Sequence, residues 1–234
     1  MKTVVLISAD AEWRAVKELH PQLAIQESPY GEYAYATLGS HRVLLFQGGW
    51  GKIAAAASTQ YVMENFKPNL LVNLGTCGGF EGAVERGIII LVEKTVVYDI
   101  IEQMGDPDEA ISHYTTKLDL TFLPRIVPAP VLRGPMISAD RDIIVNDIPA
   151  LIKKYNAVAA DWESGAIAWV AQKNGVKCLI LRGVTDLVNP ETGEAYGNYD
   201  LFSQRTKEVM RKLLEQFPAW QDAIEKVEQG YRGY

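Results

Sequence analysis

Leu70-Leu71-Val72-Asn73-Leu74-Gly75-Thr76-Cys77-Gly78-Gly79-Phe80 opens as an apolar run and closes on three glycines. The apolar part lacks the in–out alternation of a half-buried strand, which is how a strand covered on both faces reads. The glycines after it predict a turn where a ligand can come close to the backbone. Amides in such a turn can hold a carboxylate, phosphate or hydroxyl, although a plain tight turn explains the composition equally well. The spacing is not Gly-x-Gly-x-x-Gly and no Gly-Lys-Ser/Thr follows, so neither the dinucleotide nor the P-loop fingerprint applies.

Working outward, similar Val/Ile/Leu-rich runs recur at 3–7, 43–47, 87–92, 157–160 and 177–182. Between them lie helical patterns. Residues 52–66 carry Ile53, Ala56, Ala57, Gln60, Tyr61 and Phe66 mostly at three- and four-residue steps, and 164–174 and 201–217 are similar, with Asp200 placed to cap the last. This alternation predicts an α/β domain on a parallel or mixed sheet. The polar stretch 103–116 reads as a loop or irregular insertion. Pro124, Pro128, Pro130 and Pro135 fence the next segment, but the apolar pattern resumes on both sides. One domain over residues 1–234 is therefore expected, with 218–234 as a C-terminal extension. Trp220, Ile224 and Val227 predict a short amphipathic helix within it.

Composition narrows the function classes. The 234 residues are 48% hydrophobic and 22% charged, which is ordinary globular usage. Lys and Arg total 23 against 29 Asp and Glu, for a net charge of -6, which argues against a nucleic-acid partner. The apolar runs are far short of the ~18 residues that span a bilayer, and the start has no cleavable leader pattern, so no membrane role is expected. Cys77 and Cys178 sit in apolar runs, which suits a reducing cytoplasm. His20, His41 and His113 are far apart and next to no cysteine, so no metal site is expected.

Four constellations carry chemistry. Glu12 follows the first strand, in or near the first turn of a helix, where Asp10 is the alternative cap. The Gly75–Gly79 segment is the second. Asp161-Trp162-Glu163-Ser164-Gly165-Ala166 follows the strand at 157–160 and opens a helix, with Asp161 the better cap. Arg182-Gly183-Val184-Thr185-Asp186 ends an apolar strand, where Arg182 and Asp186 are costly if buried unpaired and a mutual salt bridge is the simplest outcome. Three strand ends presenting Glu12, Glu163 and Arg182/Asp186, with glycines at a fourth, predict a polar pocket at one edge of the sheet.

In this order these segments, with Gly48-Gly49-Trp50-Gly51-Lys52 and Ser138-Ala139-Asp140, resemble the nucleoside phosphorylase/nucleosidase superfamily. Within it they are similar to the 5′-methylthioadenosine/S-adenosylhomocysteine nucleosidases, over most of residues 1–217. The resemblance implies a three-layer α/β/α fold on a mixed, partly barrel-like sheet, usually as a homodimer, with no cofactor. It implies that Glu12 activates the attacking water, that Asp186 protonates the purine at N7, and that Glu163, steadied by Arg182, holds ribose hydroxyls. Thr76, Cys77 and Gly78 would line ribose and base.

A carboxylic acid at N7 suits this chemistry, because a purine leaves poorly until protonated and general-acid catalysis gives about 10²–10⁴-fold. The sugar then resembles an oxocarbenium ion that the anions Glu163 and Glu12 can stabilise. The superfamily's phosphorylases carry Arg in the first loop and before the glycine segment. Here those places hold Ala9-Asp10-Ala11-Glu12 and Asn73, so water is the expected nucleophile. Two places depart from the family: Trp162 stands where Met is usual, and Arg141-Asp142-Ile143-Ile144, with Ile143 taken to line the substrate, follow Ser138-Ala139-Asp140, where many adenine-specific relatives place an aromatic. Hydrolysis of another purine nucleoside (futalosine-type or deoxyadenosine), phosphorolysis, and a non-catalytic nucleoside-binding role are the alternatives.

Overall fold

The computed structural model describes residues 1–189, 193–195 and 197–230. The chain runs β1 (Thr3–Ile7), α1 (Asp10–Leu19), β2 (Gln26–Ser28), β3 (Gly31–Leu38), β4 (His41–Gln47), α2 (Gly51–Phe66) and β5 (Leu70–Phe80). It continues through β6 (Ile89–Val97), α3 (Pro107–His113), β7 (Thr115–Lys117), β8 (Leu132–Ser138) and α4 (Ile148–Tyr155). Then come β9 (Ala159–Asp161), α5 (Ser164–Lys173), β10 (Lys177–Val188) and α6 (Tyr199–Glu228).

β4, β1, β5 and β10 lie side by side and parallel, with β3 and β2 adding antiparallel strands beyond β4. β10 also pairs antiparallel with β6, β6 parallel with β8, β8 parallel with β9, and β9 returns antiparallel to β5. The ring β5–β10–β6–β8–β9 is therefore closed, and β5 belongs to both ring and open wing. Closing a sheet on itself removes exposed edges that would otherwise need protection.

Helices cover both faces, as the alternation predicts. Val5, Ile7, Leu70, Val72 and Leu74 turn towards Trp13 and Val16 of α1 and towards Val209, Leu213, Phe217, Trp220 and Ile224 of α6. Val4, Leu6, Leu44, Phe46 and Leu71 turn the other way, towards Ala55, Val62 and Met63 of α2 and Ile167, Ala168 and Ala171 of α5. The three-layer α/β/α arrangement around a mixed, partly barrelled sheet matches the expectation.

Several local expectations are corrected. The three glycines form no turn: β5 runs unbroken to Phe80. Asp10 does not cap α1, since its carboxylate accepts instead from Gln47 Nε2 at 2.8 Å. α6 is capped by Asn198 rather than Asp200, with the Asn198 side chain accepting from Leu201 N at 3.1 Å. The short tail helix is part of α6, which passes through Pro218 without ending, because Trp220 and Ile224 stay buried on the same face. Residues 231–234 of the expected extension lie outside the described residues. Ile53, expected on the inward stripe of α2, is 85% exposed, and the buried face is Ala55, Ser58, Thr59, Val62 and Met63. The stretch 103–116 contains α3 and the start of β7 rather than plain loop.

Candidate active site

The carboxyl ends of the parallel strands carry the chemistry-bearing residues to one place. Arg182 on β10 has no exposed surface. Its Nε lies 2.9 Å from Asp161 Oδ2, its Nη1 3.6 Å from Glu12 Oε1 and its Nη2 3.8 Å from Glu163 Oε2. It also donates to Ser164 Oγ at 3.0 Å, to Asn73 Oδ1 at 2.8 Å and to the Thr76 carbonyl at 3.3 Å. Burial works against this charge, but Asp161, Glu12 and Glu163 together outweigh it and hold the guanidinium protonated. The Arg182–Asp186 salt bridge does not form.

The glycines make room for this arrangement. A Cβ on Gly75 would lie 2.1 Å from Arg182 Nη1 and 2.8 Å from Glu12 Oε1. One on Gly78 would lie 3.0 Å from Ile143 Cδ1 and 4.0 Å from Asp186 Oδ2. The backbone approach read from the sequence is thus made by the protein's own side chains at these positions.

Glu12 sits in the first turn of α1. Its Oε1 accepts from Thr76 N at 2.6 Å and Thr76 Oγ1 at 2.9 Å, and its Oε2 from Ala9 N at 3.1 Å. Glu163 precedes α5 and reaches across to α2, where its Oε1 accepts from Gly51 N at 3.1 Å. Asp140 Oδ1 accepts from the next amide, Lys52 N, at 2.8 Å. The N-terminus of α2, which has no cap of its own, is satisfied by two distant carboxylates, a favourable place for negative charge. Lys52 in turn pairs with Asp99, which accepts from Asp140 N at 2.9 Å.

Burial dominates the Glu163 carboxyl and pushes it up to about 8. Arg182 opposes the rise, while Asp161 and Glu12 add to it. One cation facing three carboxylates leaves excess negative charge, and a proton on Glu163 relieves it. Glu163 therefore holds its proton more tightly than an ordinary glutamate does.

Asp186 owes its aim to a bulge. β10 and β5 pair in register through Val184 and Cys77, then the register shifts so that Asp186, not Thr185, stands opposite Gly78. Thr185 Oγ1 donates to Asp186 Oδ1 at 2.7 Å. Burial raises the Asp186 carboxyl above its ordinary range, the Thr185 hydroxyl holds it down in part, and Glu194 raises it further.

Glu12 is bound to Thr76 and Asp186 faces Gly78, so their anchor points are two residues apart on β5, roughly 7 Å of strand. Between them is Cys77, whose buried thiol is raised well above its usual range by burial and by Asp161, Asp186 and Glu12, against Arg182. The thiol is therefore neutral and no nucleophile. Among the described residues no group of His, Cys, Asp and Glu has the arrangement of a metal site.

Three contributors have roles that the sequence reading did not assign to them. Asp161, read as a cap, is also the nearest ion partner of Arg182, and it accepts from Ser138 Oγ at 2.6 Å and from Ser164 Oγ. Asn73 holds Arg182 from β5 and donates to the Leu6 carbonyl at 3.0 Å. Trp50 stacks on Trp162 with ring centroids 4.8 Å apart and planes at 27°. Each tryptophan adjoins one end of the Gly51–Glu163 hydrogen bond.

The model of the phosphorylase superfamily matches residues 3–217. The chain belongs to that superfamily. Among curated members of the phosphorylase superfamily, the chain is 24% identical over 233 residues to a 5′-methylthioadenosine/S-adenosylhomocysteine nucleosidase of Bacillus thuringiensis, covering 92% of this chain and 99% of the relative. It is 26% identical over 188 residues to the Buchnera aphidicola protein of the same name, covering 75% and 81%. The structure of the Streptococcus pneumoniae nucleosidase in complex with 8-aminoadenine superposes with a TM-score of 0.74 at 21% identity, over 95% of this chain and 100% of that one. The futalosine hydrolase of Helicobacter pylori superposes with a TM-score of 0.77 at 16% identity, over 94% and 97%. These structural likenesses establish the superfamily fold.

Proposed function

We propose that the protein hydrolyses the N-glycosidic bond of a purine nucleoside, with 5′-methylthioadenosine and S-adenosylhomocysteine as leading substrates and adenine as a product. The observation that carries this reading is the buried Asp186 carboxyl, aimed by the Thr185 bulge, with the Glu12 carboxylate anchored two residues away along β5.

In this reaction the protonated Asp186 donates its proton to N7 as the C1′–N9 bond breaks and its electron pair passes to the purine. Water attacks C1′ and gives its proton to Glu12, so one water is added across the bond and the two carboxyls end with their protons exchanged. Glu163 holds a ribose hydroxyl, and is itself held in place by Arg182 and the Gly51 amide. Thr76, Cys77 and Gly78 line the sugar and base, and Ile143 packs over Gly78 on the base side.

Hydrolysis is favoured over phosphorolysis because the site's buried cation, Arg182, is already surrounded by three carboxylates. A phosphate would meet net negative charge there. Adenine release from methylthioadenosine in phosphate-free buffer tests the reading; a strict phosphate requirement overturns it.

The Trp50–Trp162 stack favours a second substrate reading, a nucleoside whose 5′ substituent carries a planar ring, as in futalosine-type compounds. Turnover compared across a panel of 5′-substituted purine nucleosides separates the two.

The same reading includes a cytoplasmic homodimer with no nucleic-acid or membrane partner. Exposed Trp50, Ile53, Ile101 and Met104 near the start of α2 and after β6 support association of two copies. The net charge of -6 speaks against nucleic acid, and no helix among the described residues is long and apolar enough to cross a membrane.

A further inference from the structure

The bulge that aims Asp186 is held from behind. Glu194 Oε2 accepts from Leu187 N at 3.1 Å, and Glu194 N donates to the Leu187 carbonyl at 3.0 Å. Both backbone groups of the residue after Asp186 are therefore bound to Glu194. Arg205, on the first turns of α6, donates through Nη1 to the carbonyl of Thr185 at 3.4 Å, so the residue before Asp186 is bound too. Glu194 Oε2 and Arg205 Nη1 meet at 3.0 Å, closing the arrangement. Thr185 is the residue that the register shift leaves over, and a bulged residue of this kind lacks a ladder partner of its own.

We propose that the Glu194–Arg205 ion pair is a positioning pair for Asp186, gripping the peptide groups on both sides of it and so aiming its carboxyl at the leaving base. This inference rests on the nucleosidase reading for the purpose of the aim, but the grip itself is independent of it. The pair lies outside the cluster around Arg182 and touches none of the groups assigned to water, ribose or base. Its Arg205 borders a surface cavity of about 430 Å³ that Arg86, Thr185, Glu208 and Lys212 also line, so solvent reaches that side chain. Arg86 Nη1 stands 3.7 Å from Glu194 Oε1 and contributes a second, weaker cation.

The pair also bears on the acid electrostatically. The groups that act on Asp186 are the Thr185 hydroxyl on its own strand, Glu194 in the following loop, Arg205 on α6 and Asp142 before α4. Across the strand pair, Asp186 itself acts on the Cys77 thiol of β5. Glu194 makes the Asp186 proton harder to lose and Arg205 makes it easier, so removing either charge moves the acid in opposite directions. A merely structural brace gives no such opposition of sign.

The experiment follows the Asp186 carboxyl carbon by ¹³C NMR as pH is raised, its signal assigned by its loss in Asp186→Asn. Glu194→Gln keeps an acceptor for Leu187 N–H and is expected to titrate below wild type. Arg205→Gln is expected to titrate above wild type, and Arg205→Lys to return towards it. In parallel, kcat for purine release is expected to fall at least about tenfold in Glu194→Gln and Arg205→Gln with KM within about twofold, as for loss of an interaction made in the transition state. Superimposable titrations in all variants, or kcat within twofold of wild type, would overturn the proposal. A wild-type protein that releases no purine from any nucleoside, while the opposed titration shifts are present, would sink the nucleosidase reading and uphold the grip.

Discussion

Gly75 faces Arg182 so closely that a Cβ on the glycine would lie 2.1 Å from the guanidinium nitrogen. The two residues are partners in register on β5 and β10, and the side chain that one lacks is the volume the other occupies. Gly75→Ala therefore pushes Arg182 off its three carboxylates. The expected loss is about 3 kcal/mol, where overpacking and the breaking of a buried ion pair overlap. A lower urea midpoint at unchanged m checks it.

Asp186→Asn keeps size and shape and removes the proton donor. Turnover of methylthioadenosine is expected to fall by about 10²–10⁴-fold while KM changes little, since the lost interaction belongs to the transition state. Steady-state kinetics at pH 7, with circular dichroism to show an intact fold, measure this. Near-wild-type kcat would mean that another group is the acid.

Glu12→Gln keeps an oxygen for the two Thr76 donors but turns an amide towards Ala9 N and cannot take a proton from water. Turnover should drop by at least about 10²-fold. Calorimetry with adenine or a substrate analogue should show affinity close to wild type. Loss of binding in parallel with turnover would assign Glu12 to substrate binding instead.

Glu163 makes stability depend on pH. Its carboxyl titrates at an ordinary 4.5 when exposed and at about 8 when folded. Between those values the folded protein holds a proton that the unfolded chain has released, so stability falls as pH rises from about 4.5 to about 8. Asp186, also raised by burial, works in the same direction. Glu163→Gln is neutral throughout, so its Tm should gain on wild type between pH 5 and pH 8. A constant Tm difference across that range would show that Glu163 is ionised in the fold.

Trp162→Met opens the aromatic wall beside the Glu163 carboxyl and unpairs Trp50. The ratio of kcat/KM for a ring-bearing 5′ substituent over a methylthio group should fall by about 10-fold, the scale of one aromatic contact. An unchanged ratio would place the 5′ group away from the tryptophans.

Much of this architecture was legible in the sequence. The runs at 3–7 and 177–182 lie in β1 and β10, buried throughout apart from Lys177, and their apolar character without alternation says so. The residues that gather around the site were legible too, because Glu12, Glu163 and Asp186 all lie at or beyond the ends of such runs. The partnerships were not. Arg182 and Asp186 look like natural mates four residues apart, but the bulge at Thr185 turns Asp186 to Gly78 while Arg182 stays with Gly75. Asp161 has the spacing of a cap and does bind Ser164 N, and that role conceals its ion pair. β8 hides among prolines. Pro135 is accommodated where the ladder with β6 shifts register, which is where a strand tolerates a residue without an amide hydrogen. Gly75 and Gly78 of β5 read as parts of a turn because their reason is tertiary: they admit side chains from more than sixty residues away in the chain.

The closed ring has a consequence for biosynthesis. β10 is the last of its five strands to leave the ribosome, and it fills the gap between β5 and β6. Until residue 188 has emerged, two neighbouring strands present open edges, and Glu12, Asp161 and Glu163 have no counterion. A nascent chain stalled before Arg182 is therefore the species most exposed to wrong pairing, and the one on which a chaperone has most to shield.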